Sequence, residues 1–133
     1  MSPEERNELV TRFIEHMTRR HVLGPDSALR EEKGREDHRA FAPFDEISRR
    51  DLDLTWELIL QVLHTPHEDS VTAVLAAGPL EDLLARIGPI VIDRVEQRAA
   101  PDPDFRDLLG GVWRSSMSPE FWARVEACRG QPW

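Results

Sequence analysis

The residues best suited to chemistry sit in one stretch of the chain. Asp53, Glu57, Gln61 and His64 recur at i, i+4, i+8 and i+11. On a helix that spacing gathers two carboxylates, an amide and an imidazole into one narrow stripe. Such a stripe offers ligands for a metal or partners for sharing a proton. A helical metal site, however, draws ligands at i, i+3 or i+4 and completes its shell from a second helix. Neither Glu-x-x-His nor His-Glu-x-x-His occurs here. The plainer reading is a solvated stripe on a packed helix. The alternative is a metal-binding or enzymatic bundle using Asp53, Glu57 and His64.

The other reactive types give less. His64-Thr65-Pro66-His67 places two histidines in a turn, but there is one cysteine and no second histidine pair to complete a zinc shell. His16 and His21 are five apart and fall on different helix faces. Cys128 lies on an apolar face with no histidine near it in sequence, as a structural thiol does rather than a nucleophile. Gly-x-Ser-x-Gly, a glycine-rich phosphate loop and the dinucleotide fingerprint are all missing. No catalytic residue, cofactor or metal is therefore assigned.

Two groups point instead to binding. Glu81, Asp82, Asp93, Glu96, Asp102, Asp104 and Asp107 form an acidic set that stacked helices would bring to one rim. The functional reading is a docking surface for a basic protein. The structural reading is first-turn charge, since Glu81, Asp82 and Asp104 fall where carboxylates suit a helix dipole. The chain also carries Trp56, Trp113, Trp122 and Trp133. Tryptophan is enriched in binding hot spots. Trp113 and Trp122 read as core, Trp133 as a tail after Gly130-Gln131-Pro132, and Trp56 as the surface candidate beside the main apolar face.

The elements that must position these groups read as helix after helix. Ser2, Pro3 and Glu5 make a capping box with proline at the first helical position, and Leu9, Phe13 and Met17 follow at helical spacing. Residues 24–46 hold a dense mixed-charge run and predict an exposed loop, with Phe41 and Phe44 docking the chain back onto the core. A central apolar helix over about 51–64 comes next, then a short one over about 68–76 with Val71, Val74 and Leu75 inward. Gly78-Pro79 resets the direction before Leu80, Leu83, Leu84 and Ile87, an i, i+3, i+4, i+7 stripe. Asp82 and Arg86 are spaced for an ion pair. Gly88-Pro89, Asp102-Pro103 and Ser118-Pro119 start three more helices, the last with Phe121, Trp122, Val125 and Cys128 inward. No useful period-2 alternation occurs. The expected fold is all-α, a compact bundle of about six or seven helices with a repeat-like run of short ones.

Size and charge bound the function. With 133 residues, the chain is expected to form one domain. A net charge of −8 argues against nucleic-acid binding and is compatible with a basic protein partner. The apolar runs are too short to span a membrane. The start, Met1-Ser2-Pro3-Glu4-Glu5, lacks the pattern of a signal peptide, so a cytoplasmic location is expected.

Two blocks are distinctive: Ala77-Gly78-Pro79-Leu80-Glu81-Asp82-Leu83-Leu84, and Phe105-Arg106-Asp107-Leu108-Leu109-Gly110-Gly111-Val112-Trp113. With Trp56 to Leu60, Ile92 to Glu96 and Phe121 to Val125, they resemble an uncharacterised family of small bacterial proteins over about residues 41–128. The resemblance implies a helical domain of unknown function and assigns no catalytic residues. Family members often carry a histidine where this chain has Ile87. The leading expectation is a small protein-interaction domain, of adaptor or immunity- and antitoxin-like type, with Glu81, Asp82, Asp93, Glu96 and Trp56 as contact candidates. A third reading is a self-associating protein, a homodimer with Trp56 and Leu60 at the contact.

Overall fold

A computed structural model describes residues 1–22, 44, 46–114 and 116–133. Among them there are six α-helices and no β-strand, as the all-α reading expects. The helices are α1 (Pro3–Val22), α2 (Leu52–His64), α3 (Asp69–Leu75), α4 (Glu81–Ala99), α5 (Pro103–Leu109) and α6 (Pro119–Cys128). The expected charged loop over 24–46 lies outside the described residues, apart from Phe44 and Glu46. The chain forms two compact units, Met1–Val71 and Thr72–Trp133.

In the first unit, α1 opens on the expected capping box. The Glu5 amide donates to Ser2 Oγ (3.1 Å) and the Ser2 amide donates back to Glu5 Oε1 (3.4 Å). Its buried face is Val10, Phe13 and Met17, while Leu9 and Ile14 sit half-buried at its edges. Phe44 docks as expected, its ring edge-on to Phe13 with centroids 5.1 Å apart. Helical residues 46–50 then lead to Asp51, whose carboxylate accepts from the Leu54 amide (3.0 Å) and caps α2. Thr55, Trp56, Leu58, Ile59, Val62 and Leu63 of α2 are buried. Trp56 is thus no surface anchor. Only 8% of the residue is exposed.

In the second unit, Gly78-Pro79 does not reset the chain. Ala76–Leu80 runs as a π-helical stretch between α3 and α4, with the Glu81 amide donating to the Ala76 carbonyl. The wider turn lets Pro79, which has no N–H, lie within a continuous helical path. Gly88-Pro89 does interrupt α4: Ile87 leaves helical geometry at φ −133°, ψ 27°, and the helix kinks there. The kink half-exposes Ile87 and turns Ile90 out to solvent, so the buried stripe is Leu80, Leu83 and Leu84, resuming at Val91, Ile92 and Val95.

The kink also brings α6 close. A Cβ on Gly88 would stand 2.5 Å from Phe121 Cζ, so the glycine makes room for that ring. Asp102 and Ser118 cap α5 and α6 as expected, each ahead of a proline in the first turn. Leu84, 1% exposed, lies mid-stripe. Leu84→Ala is expected to cost about 2–5 kcal/mol in urea unfolding. A loss under about 1 kcal/mol would show that this face of α4 is not core.

Candidate interaction site

The second unit ends in a segment that turns back onto α5. The Gly130 amide donates to the Arg106 carbonyl (2.9 Å) and the Trp133 amide to the Gly110 carbonyl (3.0 Å). The Trp133 indole Nε1 donates to the Asp107 carbonyl (2.7 Å). These bonds bring amide and indole donors to carbonyls at the C-terminal end of α5, where a helix has more acceptors than donors of its own. The Gly110-Gly111 pair is what lets the segment land. A Cβ on Gly110 would meet the Gln131 carbonyl oxygen at 2.2 Å, and one on Gly111 would meet the Trp133 ring at 2.5 Å. Trp133 is therefore docked at its backbone and indole N–H rather than a loose tail, with much of the ring still open to solvent.

Trp113 is the larger departure from expectation. It continues the helical spacing of Phe105, Leu108 and Leu109, and so reads as core. Helix α5 ends at Leu109, and Trp113 follows in non-helical chain, 72% exposed. Its backbone is held: the amide donates to Glu81 Oε1 (2.8 Å). Trp122 on α6 is half-buried, with the Arg129 guanidinium carbon 5.3 Å from its ring centroid, a cation–π arrangement. The three tryptophans, Arg114, Arg129 and Pro132 line a cleft of about 430 Å³. Gly110 and Val112 complete the described lining, which contains no acidic residue. Arg114 Nε donates to the Met117 carbonyl (3.2 Å), and Arg129 Nη2 lies 3.5 Å from Glu126 Oε2.

The acidic candidates are engaged within the chain. Arg124 of α6 binds Glu96 through both Nε (3.2 Å) and Nη2 (2.5 Å), and Asp93 through Nη2 (3.1 Å). Hydrogen bonds to Glu96 and then Asp93 raise the Arg124 pKa above its ordinary value. Asp82 pairs with Arg86 at 3.8 Å, as its i, i+4 spacing predicts, and Glu81 holds the Trp113 amide. Asp102 is buried, capping α5 and bonded by Arg98 Nε (3.0 Å). Asp104 and Asp107 are exposed.

The 53–57–61–64 stripe forms part of a polar seam with α1. Glu57 pairs with Arg6 (2.7 Å), and the Gln61 amide donates to Asn7 Oδ1 (2.6 Å). Asp53 and His64 are exposed and each makes its own interaction. Asp53, Glu57 and His64 do not converge as a ligand set. His67 Nδ1 lies 2.6 Å from the Thr65 carbonyl, a contact that makes it the protonated nitrogen.

A family model, described as a family of unknown function (DUF6869), matches residues 30–132. The chain belongs to this family. The match begins about ten residues before the block recognised in sequence and includes every described residue that lines the cleft except Trp133. No curated protein and no solved structure matches the chain. No helix among the described residues is long and apolar enough to cross a membrane.

Sequence reasoning missed the cleft because its residues are dispersed over 110–133 and follow no single period. The only available signal was Gly-Gly before a tryptophan, a place where the backbone admits close approach. Gly110→Ala is expected to detach the terminal segment, seen as faster amide exchange at Gly130 and Trp133 with α4 protection retained. Unchanged exchange would refute the docking. Cys128 is half-buried and its thiol points at the Val125 carbonyl (3.4 Å). Burial first, and the Glu96 charge second, raise its pKa above the ordinary value. Less thiolate is then present near neutrality, so iodoacetamide should modify Cys128 more slowly in the folded protein than in urea. An equal or faster folded rate would contradict this.

Proposed function

We propose that this chain is a small protein-interaction domain, of adaptor or immunity- and antitoxin-like type, and that it makes contact through the tryptophan–arginine cleft. The observation that carries the reading is the pairing of two open aromatic residues, Trp113 at 72% and Trp133 at 54% exposure, on the walls of one cleft. Ordered, exposed tryptophan beside arginine is the composition of interface hot spots. Both tryptophans are held by backbone hydrogen bonds, so little ordering entropy opposes a partner at these positions. The acidic rim at Glu81, Asp82, Asp93 and Glu96 is a weaker contact candidate, because its carboxylates already have partners within the chain. Buried Trp56 is likewise a weak basis for the alternative dimer.

The test compares capture by the full chain and by Trp113→Ala from cells that naturally contain the protein, with captured proteins identified by mass spectrometry. A discrete partner held by the native chain and lost with Trp113→Ala, at unchanged circular dichroism, is the expected outcome. Equal capture by both would remove the cleft from the contact. Reversal of Asp82 and Glu96 together is expected to leave capture intact. Its loss would return the contact to the acidic rim.

A further inference from the structure

The chemistry of the cleft narrows its occupant. The chain carries a net charge of −8, yet the described lining of the cleft holds two arginines and no carboxylate. In the same unit, Arg124 is matched by two acids, Asp93 and Glu96. Among the described residues, Arg114 is matched by a neutral carbonyl, that of Met117, through one of its five N–H donors. Arg129 lies against Trp122 and pairs with Glu126 at 3.5 Å. The cleft is thus an apolar, aromatic recess on an acidic molecule, with Arg114 at its rim matched by no acid among the described residues.

Resting on the reading of the cleft as a protein contact, we propose that it receives an acidic peptide segment of a partner protein. A bulky apolar side chain of that segment sits among Trp113, Trp122 and Trp133. A neighbouring Asp or Glu carboxylate of the segment meets Arg114, with Arg129 beside it. The volume of about 430 Å³ suits one or two large side chains rather than a folded surface. An arginine offers a carboxylate paired donors in fixed geometry, so one or two acidic residues suffice. A nucleic-acid strand would also stack on tryptophan. It would bring a row of phosphates against a chain of charge −8, whereas a short peptide brings few charges. The repulsion from the rest of the molecule is screened over about 8–10 Å at physiological salt, while the arginines act at contact.

The test selects a display library of random short peptides on the full chain and counter-selects on Trp113→Ala. Selected peptides are then measured by fluorescence anisotropy on the native chain and on Arg114→Glu. The expected result is enrichment of Asp or Glu next to Phe, Trp or Leu, with affinity about tenfold weaker on Arg114→Glu, the loss that follows removal of a charged hydrogen-bond partner. Trp113-dependent peptides that lack acidic enrichment, or that ignore Arg114→Glu, would overturn the acidic segment and leave the cleft as a contact. Absence of any Trp113-dependent peptide would overturn both. A thymidine oligonucleotide binding more tightly than the peptides would assign the cleft to nucleic acid instead. A dimer in sedimentation that dissociates on Trp113→Ala would assign it to a second copy of the chain.

Discussion

A seven-residue helix cannot sustain itself in water, and the C-terminal unit depends on how α5 overcomes that. So short a helix has more unpaired end groups than internal bonds. Asp102 satisfies the start, its carboxylate accepting from the Asp104 and Phe105 amides. Arg98 holds that carboxylate in place, and Arg106 Nη1 donates back to the Ala99 and Ala100 carbonyls at the end of α4. The far end is closed from a distance by Gly130 and Trp133. Phe105, Leu108 and Leu109 are then fully buried, and their burial supplies the stability that helix propensity does not.

Closing α5 in this way requires backbone to approach backbone, which is why glycines fall where they do. At Gly110 the neighbour is a carbonyl oxygen, which cannot step aside as a side chain might. At Gly88 the neighbour is the Phe121 ring, and the approach joins the kink in α4 to the first turn of α6. The same geometry makes the cleft. Once the terminal segment occupies the end of α5, the chain after Gly111 is diverted outward, and Glu81 fixes it there through the Trp113 amide. An acid that reads as surface charge in the sequence thus acts in positioning an aromatic wall.

The charge pattern follows a related logic. The molecule is acidic overall, and several of its described carboxylates join or start helices. Arg124 joins α6 to α4, Arg6 joins α1 to α2, and Asp51 and Asp102 cap helices. Exposed pairs of this kind each contribute little to stability, and their main effect is to fix which helix faces meet. Their consequence for binding is larger, since a carboxylate held by an internal arginine presents little field to a partner.

The helices themselves were legible from local physics. Ser2, Asp102 and Ser118 cap because a short side-chain oxygen reaches amides that have no other partner, and proline suits the first turn because its missing N–H is not needed there. The apolar period of α1, α2 and α4 marked their buried faces for the same reason: burial repeats with the helical turn. What periodicity cannot encode is where a helix stops in favour of contacts distant in sequence. Trp113 keeps the helical spacing and is nonetheless exposed, because Gly110 and Gly111 are taken by residues 131 and 133. Trp56 stands at the edge of an apolar face and is nonetheless buried. Gly78-Pro79 looks like a break and is spanned by a π-turn. The sequence by itself determined the helices and their caps, since those depend on residues within one or two turns. Tertiary structure alone decided which tryptophans face solvent and which acids are already paired, since those depend on partners about twenty to thirty residues away.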